Sequence, residues 1–162
     1  MMILVQLPIF IDAAIILLVV YCIKKKKLHL LESILIIFVL EMVITSYCAI
    51  LHINLKLWEV SVEPSLNAVF RIYESIISPV IWLLYFNLLA DLEKRMTKFF
   101  LVVLVICIQV GVEQWLVVLK VIWYLDWQIW QSILVQILVL TSTSLLHIGY
   151  QKILQREGIE VK

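Results

Sequence analysis

Glycine, proline, cysteine and charge are all scarce in this chain. Its 162 residues include three of each of those residue types, and only 15% of the residues are charged, whereas about a quarter are charged in a soluble domain. Flexible linkers and a glycine-rich phosphate loop are therefore excluded, as are a CxxC pair and a disulfide framework. The net charge of +1 excludes the basic face that nucleic-acid binding needs.

Sequence motifs for catalysis and metal binding are also missing. His29, His52 and His147 are far apart, no HExxH pair occurs, and no serine has a GxSxG surround. We therefore predict no metal and no cofactor. An enzyme is disfavoured, although two membrane carboxylates such as Glu74 and Glu113 could share acid–base work.

Apolar residues make up 64% of the chain, more than the core of so small a domain can hold. A bilayer accepts the surplus, and a helix needs about 20 apolar residues to cross it. Barrel strands would alternate apolar and polar residues, which these runs do not. The sequence thus predicts an all-α, polytopic membrane bundle in one domain, with five transmembrane helices at about 3–23, 30–50, 67–90, 97–118 and 129–150.

The lysines and arginines predict the orientation of this bundle. Basic residues beside span ends are retained in the cytoplasm, and an external N-terminus places ten of the thirteen there. These ten are Lys24, Lys25, Lys26, Lys27, Lys94, Arg95, Lys98, Lys152, Arg156 and Lys162. We expect a multi-pass protein of the cell membrane with its N-terminus outside and its C-terminus cytoplasmic.

Ionisable residues inside the spans need a reason, because each costs free energy unless it is paired, hydrated or neutralised. Asp12 and Glu41 fall near the midplane, and they are expected to mediate hydrogen bonds between helices. Arg71 and Glu74 are three residues apart, close enough to pair, and Glu113 falls at a similar depth in the outer leaflet.

We hypothesise that Arg71, Glu74 and Glu113 form one polar cluster that binds a ligand. The aromatic side chains of Tyr73, Tyr124 and Trp127 would cover it. Two other readings stay open. The three groups could be an ion-paired clamp without a ligand, and the tryptophans of both external loops, Trp58 among them, could form an aromatic belt at the headgroup layer.

From Arg71 onward the chain resembles a family of small, uncharacterised five-helix membrane proteins of spore-forming Firmicutes. The resemblance rests on Tyr73-Glu74, on Pro79, on Glu113 and on Tyr124-Leu125-Asp126-Trp127. It departs at Phe86-Asn87, where that family often has a second proline. The resemblance implies the same fold and the same candidate residues, and it implies no activity.

Three functions are compatible with these patterns. The leading one is a non-enzymatic bundle that binds a membrane lipid or small ligand, or that serves as a subunit beside a membrane-protein partner or in a homo-oligomer. The second is a small oligomeric transporter or channel that uses intramembrane carboxylates. The third is a membrane-embedded enzyme that modifies lipid.

Overall fold

The computed structural model describes residues 3–157, so Lys162 lies outside the described residues. Five helices in this part of the chain are long and apolar enough to cross a membrane. They are α1 (Ile3–Ile23), α2 (Leu30–Asn54), α3 (Pro64–Leu89), α4 (Arg95–Val118) and α5 (Ile129–Arg156).

The helix bounds follow from chemistry at the ends. A capping box starts α2, since the Glu32 carboxylate accepts the His29 N–H at 2.8 Å. Pro64 starts α3 at the first turn, where a missing N–H does no harm. The predicted start at residue 67 is therefore three residues late. The last helix runs past the predicted end at residue 150 to Arg156.

Among the described residues, two turns are π-helical. Ile50–Asn54 extends α2, and Tyr73–Ile77 interrupts α3 between α-helical segments. The N–H of Ser78 donates to the carbonyl of Tyr73, five residues back. Pro79 follows at once, and a proline in a helix removes a donor and crowds the preceding turn. Such π-bulges are frequent at functional sites, and this one carries Glu74.

Most of the apolar stretch of α3 is buried, whereas less than a third of that stretch is buried in each of the other four helices. Helices α1, α2 and α4 pack on α3, and α5 packs on α2 and α4. We call the end that carries Lys24–Lys27 and Lys94–Lys98 the basic end.

At the opposite end, which we call the aromatic end, β1 (Trp58–Val60) pairs antiparallel with β2 (Ile122–Tyr124). A lysine with positive φ precedes each strand, Lys56 at 51° and Lys120 at 59°. This two-stranded ribbon connects the α2–α3 segment to the α4–α5 segment.

Candidate functional site

Glu113 is the centre of a buried hydrogen-bond network at the aromatic end. Glu113 is only 2% exposed. The Oε1 atom accepts from the hydroxyl of Tyr124 and, at 2.6 Å, from the hydroxyl of Ser132. The network thereby joins α4, β2 and α5 through one carboxyl oxygen.

A further pair of donors positions the two hydroxyl groups that contact Glu113. The indole N–H of Trp127 donates to Ser132 Oγ at 2.8 Å, and Gln114 Nε2 donates to Tyr124 Oη at 2.9 Å. Burial, followed by the nearby charge of Glu113, raises the pKa of Tyr124 well above its ordinary value. Tyr124 is therefore a hydroxyl donor at neutral pH.

Arg71 and Glu74 form a separate ion pair on α3. Arg71 Nη1 lies 2.7 Å from Glu74 Oε2, with the arginine side chain 62% exposed and the glutamate 2%. A small cavity of about 50 Å³ lies beside the pair and is also lined by Thr45, Cys48 and His52. Only a few water molecules fit a space of that size.

The structure thus brings the predicted site residues together in two groups. Arg71 contacts Glu74, and Glu113 contacts Tyr124. Trp127 is connected to Glu113 through the hydroxyl of Ser132. Within residues 3–157, no ion pair or hydrogen bond joins Arg71 to Glu113.

Several polar groups in this region are buried without a partner. The Tyr73 hydroxyl and both amide atoms of Gln136 make no hydrogen bond within the described residues, nor does the Tyr47 hydroxyl. Buried polar atoms are normally satisfied, so these groups are exceptions to the usual pattern.

Trp58, which the aromatic-belt interpretation would place at the headgroup layer, is a core residue. Trp58 is 1% exposed and stacks on Tyr124, with ring centroids 6.3 Å apart and planes at 10°. Its ring also lies 6.2 Å from Trp127 and 6.5 Å from Phe70. The strand-like alternation of Trp58-Glu59-Val60 is the signal that could have placed this ring inside.

The two midplane acids lie toward the outside of the bundle. Asp12 is on the exposed side of α1, and Glu41 of α2 is half-buried. The structure thus places neither in the buried core.

A second polar cluster, which sequence reasoning missed, lies where α2 begins and α5 ends. The buried Glu32 Oε1 accepts from Gln151 Nε2 at 2.8 Å and lies 3.0 Å from His147 Nε2. Because 115 residues separate Glu32 from His147 in sequence, no local spacing indicated this contact.

An apolar groove lies between α1 and α4, with α3 as its floor. Its volume is about 530 Å³. Lining side chains, all apolar or aromatic, include Phe10, Ala13, Ile81, Tyr85, Val105 and Trp115. The rings of Phe10 and Trp115, 5.7 Å apart, narrow it toward the aromatic end.

At the basic end the groove adjoins a cavity of about 360 Å³. Leu88, Leu101 and Leu104 line both spaces, and Asp91 and Thr97 add polar atoms to the second. The two spaces are therefore adjacent, and together they extend from the apolar middle of the bundle to its basic end. No family model, curated protein or solved structure matches this chain.

Proposed function

We propose that this chain is a non-enzymatic protein of the cell membrane that binds a membrane lipid in the α1–α4 groove. The basic end faces the cytoplasm and the aromatic end faces outward, in line with the lysine and arginine bias. The resemblance to five-helix proteins of spore-forming Firmicutes remains part of the same proposal.

The apolar groove is the main support for this proposed function. Lipid tails are as apolar as leucine side chains, so no hydrophobic force favours the groove over bulk lipid. Retention there depends on shape. A groove walled on three sides by α1, α3 and α4 offers an acyl chain more packing contacts than a convex helix surface does.

Substitution of Ala13 by tryptophan tests the proposal, because Ala13 is the smallest side chain among the lining residues. The full chain is purified in mild detergent, and bound lipid is measured by native mass spectrometry. We expect Ala13→Trp to lose most of the retained lipid. The matched control is Ile15→Trp, also on α1 but exposed and outside the groove. Equal retention by both variants would rule out the groove as the site.

Transport of protons or cations by an oligomer is the second candidate. Its supporting observation is Glu113, which is buried and accepts hydrogen bonds from the neutral donors Tyr124 and Ser132. Glu113→Gln should abolish ion flux into liposomes, whereas Glu59→Gln, at an exposed position of β1, should not. Absence of flux from the unmodified protein would remove this candidate.

A further inference from the structure

The basic side chains are concentrated where the groove opens. Helix α1, one wall, ends at Ile23 and is followed by Lys24–Lys27. Helix α4, the other wall, starts at Arg95 with Lys94 before it and Lys98 in its first turn. At the same end α5, which does not line the groove, contributes only Lys152 and Arg156 among the described residues. Cytoplasmic retention alone would not favour the groove walls over α5.

Contacts with α3 hold the first basic segment beside the opening. The buried Asn87 side chain accepts the Lys27 N–H at 2.7 Å and donates to the Lys25 carbonyl at 3.2 Å. Lys27 Nζ lies 2.5 Å from Asp91 Oδ1. The segment is thereby tied to the residue that lines the cavity at this end.

The charge at this opening is positive, because Lys24–Lys27, Lys94, Arg95 and Lys98 outnumber Asp91 and Glu93. A hydrogen bond from Lys27, helped by the charge of that lysine, lowers the pKa of Asp91, so Asp91 is ionised at neutral pH. Asp91 forms its ion pair with Lys27, whereas the side chains of Lys24, Lys25 and Lys26 are exposed. The first turn of α4 adds free N–H groups, since Lys94 provides no side-chain cap, and such groups favour an anion.

We infer that the ligand of the groove is an anionic glycerophospholipid. Its acyl chain lies between α1 and α4, and its phosphate binds Lys24–Lys26 and the first turn of α4. Basic clusters immediately beyond a membrane span attract anionic headgroups, and here that cluster stands at the end of a path shaped for the tail. This inference rests on the proposed lipid binding and adds the headgroup chemistry.

Competition between two lipids tests the headgroup. The purified full chain is incubated with equal amounts of phosphatidylglycerol and phosphatidylcholine of identical chains, and both are counted by native mass spectrometry. We expect phosphatidylglycerol to be retained in excess, by about fivefold or more. The excess should shrink as salt screens the lysines.

Matched variants assign the effect to this opening. Lys24→Gln, Lys25→Gln and Lys26→Gln together should remove the preference while phosphatidylcholine is still retained. The double variant Lys152→Gln with Arg156→Gln, on α5, should leave the preference unchanged. The salt titration uses the unmodified protein, so it tests the electrostatic origin of the preference even if the triple variant folds poorly.

The outcomes separate this inference from the proposed function. Equal retention of both lipids, or equal loss of preference in the two sets of variants, would overturn the headgroup assignment and leave lipid binding in place. If neither lipid is retained by the unmodified protein, lipid binding itself fails. If Ala13→Trp removes both lipids, the tail is in the groove as proposed.

Discussion

At the scale of single residues, the hydrogen bond from Tyr124 to Glu113 gives a stability prediction. Tyr124→Phe removes one of the two donors to a buried carboxyl oxygen, which keeps its hydrogen bond from Ser132, and one hydrogen bond contributes about 0.5–1.5 kcal/mol to stability. We expect that loss in the free energy of unfolding in detergent. The loss should be smaller in the background of Glu113→Gln, because residues in one network are not additive. Tyr150→Phe, at the partly exposed end of α5, is the control and should have little effect.

The same contact has a pH dependence with a defined sign. Because the pKa of Tyr124 is raised in the folded chain, its contribution is fully present below the ordinary value of 10 and is lost as pH rises through the higher folded value. Stability measured from pH 7 to 10 should therefore not fall on account of Tyr124. A fall over this range that Tyr124→Phe abolishes would contradict the assignment.

A second residue-scale prediction separates the two acidic groups. Arg71→Gln should destabilise the fold more than Glu74→Gln does, because it leaves the buried Glu74 carboxylate unpaired. The double change should be better tolerated than the sum. By contrast, the stability losses caused by Arg71→Gln and by Glu113→Gln should add within about 0.5 kcal/mol, since no hydrogen bond joins Arg71 to Glu113. Strong coupling of Arg71 with Glu113 in thermal unfolding would restore the single cluster that the sequence predicted.

At the scale of elements, the ribbon predicts opposite outcomes for two tryptophans. Trp58→Ala should cost about 3–5 kcal/mol, the usual range for deleting a buried aromatic ring. Trp123→Ala, one position before Tyr124 on β2 and 40% exposed, should cost far less. Chemical unfolding in detergent measures both. Similar small losses would mean that Trp58 lies in the interfacial belt after all.

The elements also show how far sequence reasoning reaches. Hydropathy identified all five helices, because each must present a continuous apolar surface. It misplaced the end of α5, since an apolar window detects hydrocarbon depth and the polar residues to Arg156 continue the helix beyond it. The three-residue strands β1 and β2 were missed, because their pairing depends on segments that are remote in sequence.

The structure groups the predicted site residues differently from the sequence analysis. Depth along a helix is readable from sequence, so Glu113 and Tyr124 were expected near each other, and they are in contact. Rotation of one helix against another is not readable in this way. It decides that Glu113 bonds to Ser132 of α5 while Arg71 stays with Glu74 on α3.

At the scale of the whole molecule, the distribution of basic residues predicts topology. A reporter active only in the cytoplasm should work when fused after Lys162 and fail when inserted near Glu63, which precedes α3 at the aromatic end. The reason is retention of the lysines and arginines beside the span ends. Activity near Glu63 would reverse the orientation, and silence at both positions would contradict five crossings.

The ribbon between β1 and β2 also imposes an order on biosynthesis. The chain leaves the ribosome from its N-terminus, so α1 to α4 are made before Ile122–Tyr124 exists. Until that strand and α5 emerge, Trp58 lacks its stacking partner and Glu113 lacks both hydroxyl donors. A nascent chain halted at the end of α4 therefore presents to the bilayer a carboxyl that the finished protein hides.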